Sequence, residues 1–204
     1  MLEGLENIRK SDFLLLYSLK CIKIKKENQE GLVMKTKTQK MVIAAMFTAI
    51  TCVVTMIIKI PSPFKGYLNL GDAVVLLSGW FLSPGYGFMA AGMGSAIADI
   101  ASGYTVYAPI TFVIKGIMAV VANSLYRVTC KRTEAFLSRI ISGISAEIIM
   151  IFGYFMFEGV LYGFAVSILN LPVSAVQGFA GLAFGMIAVR IIEKINVKNN
   201  HIKH

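Results

Sequence analysis

The feature that most constrains this chain is a series of six apolar runs separated by short polar breaks. They cover Met41 to Ile60, about Leu70 to Leu82, about Tyr86 to Ser102, Pro109 to Tyr126, Ile140 to Phe157 and Pro172 to Ile192. An apolar run of about 20 residues is the length of a helix that crosses a bilayer. The second and third runs are shorter, and Ser83-Pro84-Gly85 between them is a tight-turn signal, so they read as two short helices. A further apolar piece, Val160 to Leu171, reads as a re-entrant or surface segment. Only 15% of the 204 residues are charged, against about a quarter in a soluble domain. The mean hydropathy is +0.70. The expected fold class is all-α: an integral membrane protein with a single bundle of six transmembrane helices.

The net charge of +9 could suggest a nucleic-acid partner. Its placement argues against one, because the basic residues avoid the apolar runs. Lys35, Lys37 and Lys40 precede the first run, and Arg127, Lys131, Arg132 and Arg139 separate the fourth from the fifth. Arg190, Lys194, Lys198 and Lys203 follow or close the sixth, whereas the other side of the bundle has Lys59 and Lys65. Lys and Arg are retained in cytoplasmic loops, so both termini are expected in the cytoplasm. Residues 1–33 form an N-terminal extension whose DFLLLYSL is too short to span. Met34 opens MKTKTQKMVIAAM, an ordinary cytoplasmic start, and is the expected beginning of the protein. The membrane domain is placed at 34–192 and a basic cytoplasmic tail at 193–204. Cys21, Cys52 and Cys130 have no metal-site spacing, and both histidines lie in the extreme C-terminal tail.

Charged side chains inside spans are expensive and usually face a partner or a cavity. With this orientation, Asp99 lies about 5 Å below the outer end of helix three, Lys115 about 9 Å down helix four and Gln177 about 8 Å down helix six. Asp72 opens helix two from the same side. Asp99 and Lys115 read either as an ion pair tying helices three and four or as the lining of an outward pocket. Asp72, in a first turn, suits the helix dipole and a capping role. Glu147 is near the middle of helix five, where it requires neutralisation or a partner, and Glu158 at the outer end is expected to be solvated. Tyr104, Tyr107 and Trp80 read as interfacial aromatics; the two tyrosines could instead stack on a flat heterocycle. The loop PSPFKGYLNLGD, rich in turn residues, suits a lid.

Small residues four apart recur in Ala45 and Ala49 of helix one, in Gly87, Ala91, Ser95 and Ala90, Gly94, Ala98 of helix three, and in GFAGLAFG of helix six. Such spacing allows close helix approach in lipid. Two small faces suggest that helix three is central to the bundle, and the single stripe on helix one suits an external partner.

From Met34 to Ile192 the chain resembles the substrate-binding S components of energy-coupling-factor (ECF) vitamin transporters, most closely the riboflavin-type and related groups. The likeness is carried by MKTKTQKMVIAAMFTAI, by LNLGDAVVLLSGWFLSPGYGFMAAGMGSAIADIASGYTVYAPITFVIKG, and by the six-span plan. The resemblance implies a non-enzymatic subunit in a prokaryotic plasma membrane that binds a vitamin or precursor at its outer face. Its partners would be a transmembrane coupling subunit and two cytoplasmic ATPases, which use the ATP; no cofactor of its own is implied. Ala45 and Ala49 would contact the coupling subunit. The regions that form the pocket in this family contain Asn69, Asp72, Asp99, Tyr104, Tyr107, Thr111, Lys115, Asn170 and Gln177. No Walker A sequence occurs, which agrees with hydrolysis on partner subunits. The alternative is a stand-alone secondary transporter, for which an internal repeat is missing and Glu147 is the clear midplane acid. An enzyme would lack a buried histidine, metal cluster or nucleophile elbow.

Overall fold

The computed structural model describes residues 36–57, 59–62 and 66–202; the expectations for residues 1–33 and for the start at Met34 lie outside these. Six helices run in chain order: α1 Lys37–Ile57, α2 Gly71–Phe81, α3 Pro84–Ala101, α4 Ala108–Thr129, α5 Ala135–Tyr162 and α6 Phe164–Ile202. The all-α expectation holds, with one addition in the first loop. There β1 (Lys59–Ser62) and β2 (Gly66–Asn69) form an antiparallel hairpin in which Lys59 pairs with Asn69 and Ser62 with Gly66. Among the described residues four helices, α1, α4, α5 and α6, are long and apolar enough to cross a membrane. With 11 residues, α2 is about 16 Å long, well short of the hydrocarbon thickness.

That short helix is the centre of the bundle, a place the sequence reading gave to α3. Every residue of α2 from Gly71 to Trp80 is buried, with α1, α3, α4 and α6 packed on it. The outer helices follow one another as an arc, α1 on α3, α3 on α4, α4 on α5 and α5 on α6. A helix apolar all round belongs inside a protein, and α2 shows no amphipathic rhythm in GDAVVLLSGWF. The small faces of α3 instead serve two neighbours. A Cβ on Gly94 would lie 2.6 Å from the Thr48 carbonyl oxygen of α1, and one on Gly92 would lie 2.6 Å from that of Phe112 on α4.

Several local expectations change. Val160 to Leu171 is not a separate segment: α5 runs to Tyr162, Gly163 turns the chain at φ 91°, and α6 begins at Phe164, with Val160, Leu161, Phe164, Ile168 and Leu169 exposed on the surface. Pro172 lies inside α6 rather than at its start, and the same helix continues to Ile202, through the segment read as a tail. Trp80 is no interfacial aromatic; it is 7% exposed and its indole N–H donates to Ser142 Oγ at 3.0 Å. The hydrophobic core around it joins Val75, Leu76, Met118, Ala119, Ala146 and Met150.

Candidate functional site

One end of the bundle holds a cavity bounded by α1, α3, α4, α5, α6 and the end of the hairpin. Four of these helices contribute side chains one turn apart, the spacing that puts two residues on one face: Ser95 and Asp99, Thr111 and Lys115, Met150, Tyr154 and Glu158, Asn170 and Ser174, Val173 and Gln177. Thr55, Asn69, Tyr104 and Tyr107 complete the wall. The cavity is open at its mouth, and its free space, counted together with the solvent there, is about 620 Å³. The turn between α3 and α4 makes the wall possible. Gly103, at φ 83°, closes α3 in a left-handed conformation that suits glycine, and the Tyr104 N–H returns to the Asp99 carbonyl at 2.8 Å.

Eight of the nine residues singled out from the sequence line this cavity: Asn69, Asp99, Tyr104, Tyr107, Thr111, Lys115, Asn170 and Gln177. The ninth, Asp72, is fully buried behind the wall. It is not the cap of α2, which has no side-chain cap; Asn69 Oδ1 instead accepts the Gly71 N–H at 2.9 Å. Asp72 is the ion-pair partner of Lys115, a role that one of the two readings above gave to Asp99. Its second oxygen accepts from Gln177 Nε2 at 2.7 Å, and Gln177 Oε1 accepts the backbone N–H of Asn69 at 3.3 Å. One acid thus joins α2, α4 and α6, and through Gln177 the base of the hairpin. The glycine of LGD is required here: a Cβ on Gly71 would lie 2.0 Å from Thr55 Oγ1 and 2.9 Å from Asn69 Oδ1.

At the mouth, Glu158 is not a solvated helix end. It is buried, accepts from Asn170 Nδ2 at 2.9 Å and lies 3.5 Å from the Tyr107 hydroxyl, which donates to it. Tyr107 is also buried, edge-on to Phe157 with centroids 5.4 Å apart, and Tyr104 stands edge-on to it at 6.3 Å. Burial first, then contact with Tyr162 and the Glu158 carboxylate, push the Tyr107 phenol far above its ordinary range, so it stays a neutral donor. Deeper in, Tyr154 donates to Thr111 Oγ1 at 3.1 Å and places its ring 5.4 Å from Lys115 Nζ. Glu147 sits behind the wall with neither carboxyl oxygen hydrogen-bonded, packed where α6 presents Gly178 and Gly181.

The lining residues that the sequence reading did not assign to the pocket are Thr55, Ser95, Met150, Tyr154, Glu158, Val173 and Ser174. The four-residue spacing from Met150 through Tyr154 to Glu158 was the available signal on α5. Among the described residues no cluster of His, Cys, Asp and Glu suits a metal ion.

A model of the ECF-type riboflavin transporter S component matches residues 35–194. The chain belongs to that family. It is therefore a membrane transport component and not an enzyme. It is also 34% identical over 134 residues to a Pyrococcus woesei protein described as "Uncharacterized protein in gap 3'region", covering 65% of this chain and 87% of that relative. Among solved structures, the S component of a bacterial ECF transporter superposes with a TM-score of 0.65 at 20% identity, covering 78% of this chain and 98% of that one. At this identity the likeness is one of fold.

Proposed function

We propose that this S component captures riboflavin, or a flavin-like heterocycle, in the cavity described above and hands it over for ATP-driven uptake across a prokaryotic plasma membrane. The observation that carries the reading is the cavity itself. Amides, hydroxyls and aromatic rings from five helices, one loop and the end of the hairpin converge on one space, in a chain matched by a riboflavin-transporter family model. Asn69, Thr111, Asn170 and Gln177 would satisfy the polar edge of a flat heterocycle, and Tyr104, Tyr107 and Tyr154 would flank its faces. Asp72 acts behind them.

The positive-inside pattern puts both termini in the cytoplasm and the cavity on the outer side. The partners of this reading are a transmembrane coupling subunit and two cytoplasmic ATPases. Ala45 and Ala49 support it, since both lie exposed on α1 among the exposed Met41, Met46, Ile50 and Val53. A small-residue stripe facing outward allows another helix to approach closely.

The test is spectroscopic. Protein purified in detergent should carry flavin absorbance, or bind added riboflavin with quenching of its fluorescence. An unchanged flavin signal at saturating protein would refute the flavin assignment.

A further inference from the structure

Among the described residues of the cavity wall, Lys115 is the only cation, and its charge is already committed to Asp72. We infer that Asp72 is the positioning residue that sets ligand selectivity: by holding Lys115 and Gln177 from behind, it makes the pocket one for an uncharged heterocycle and against its phosphate ester. The inference rests on the binding role proposed above and adds the residue that decides the charge of the ligand.

The argument follows from the two oxygens of one carboxylate. Asp72 is 0% exposed and outside the wall, so it reaches a ligand only through what it holds. One oxygen takes the ammonium of Lys115, and the other fixes the amide of Gln177 with its NH2 toward α2. The opposite amide end accepts from Asn69, so a flipped amide would set donor against donor. Close approach of α6 is needed for this bond. A Cβ on Gly181 would lie 2.6 Å from Asp72 Cβ. A paired ammonium presents little net field to a ligand, whereas a bare one in a low-dielectric wall is a strong anion site. The other titratable groups of the wall, Asp99, Glu158 and the three tyrosines, supply no positive charge. Glu147 is within electrostatic reach of both Asp72 and Lys115, and it could take over the lysine once Asp72 is neutralised. The test therefore removes it as well.

Full-length protein in detergent is titrated with riboflavin and with riboflavin 5′-phosphate, as wild type, Asp72→Asn, Asp72→Asn/Glu147→Gln and Asp72→Asn/Lys115→Met. The affinity ratio should move toward the phosphate ester by about tenfold or more in Asp72→Asn/Glu147→Gln, the size expected for one uncompensated charge in a partly buried site. It should return toward wild type in Asp72→Asn/Lys115→Met. Equal weakening of both ligands, with the ratio unchanged, would overturn the inference and leave Asp72 a purely structural residue. If Asp72→Asn/Glu147→Gln does not fold, Asp72→Asn is compared with Asp72→Asn/Lys115→Met, with a smaller shift of the ratio expected because Glu147 still faces the lysine. If wild type binds neither flavin, the flavin reading fails while the role of Asp72 is still measured. Inorganic phosphate at constant ionic strength should then raise the melting temperature of Asp72→Asn/Glu147→Gln, but not of wild type or Asp72→Asn/Lys115→Met. The same phosphate response in all three would overturn the inference.

Discussion

The two ends of the bundle bury polar groups in different ways. At the end away from the cavity the bonds tie one helix to another. Asn123 Nδ2 donates to the carbonyls of Gly79 at 2.7 Å and Leu82 at 2.8 Å, holding the last turn of α2. Trp80 is tied to Ser142, and Arg139 pairs with Glu193 at 2.8 Å while lying over the Tyr126 ring. At the cavity end the bonds run among side chains of four helices, and most of the groups that make them also face open space. Burial of a polar residue therefore does not mark function in this protein. What distinguishes the cavity end is buried groups that still present a face to open space.

The largest test of that contrast is Lys115→Met. It leaves Asp72 buried without its counter-ion, a change that costs about 3–5 kcal/mol when one partner of a buried pair is removed. Melting temperature and flavin affinity should both fall, and Asp72→Asn/Lys115→Met should recover most of the stability and measurable flavin binding. A double variant as unstable as Lys115→Met would show that the unpaired buried acid is not the cause of the loss. Next in size is Asn123→Ala at the other end. Two carbonyls at the end of α2 lose their donor, for a loss of about 2 kcal/mol. Flavin affinity should stay within about twofold of wild type, since additive effects are the rule for distant sites. A larger binding defect than stability defect would erase the division between the ends.

Much of this arrangement was legible in the sequence, because depth along a helix follows from counting residues. Asp99, Lys115 and Gln177 were placed at one level by rise alone, and all three line one cavity. Azimuth was not legible. Asp99 and Lys115 flank one turn, yet the ion pair runs from Lys115 to Asp72 on another helix, because α2 passes through the middle. Its central place was hidden by its length: 11 residues look like a fragment of a span, but a helix wrapped by protein needs no span. Trp80 was misplaced for the same reason. The apolar run stops at Phe157, which makes Glu158 read as a solvated end. The helix runs five residues further, to Tyr162, and carries the acid inward to Asn170.

The smallest stability effect, and the sharpest contrast with Asn123→Ala, belongs to Tyr107→Phe. Its hydroxyl donates to Glu158 over 3.5 Å, a long bond whose loss should cost less than about 1 kcal/mol. Its other exposure is to the cavity, so flavin affinity should fall by about fivefold, the equivalent of one hydrogen bond. Alkaline pH adds an independent check. The folded phenol titrates far above the ordinary tyrosine value, first through burial, then through Tyr162 and Glu158. The folded state therefore keeps a proton that the unfolded chain loses above about pH 10. Stability from this group is complete below that pH and is lost as the pH rises. Phenylalanine has no such proton to lose. Wild type should accordingly melt slightly above Tyr107→Phe at pH 8, and the gap should close or reverse at pH 11. A gap that widens with pH would mean that the phenol ionises in the folded state and that Tyr107 is no neutral donor at the mouth of the cavity.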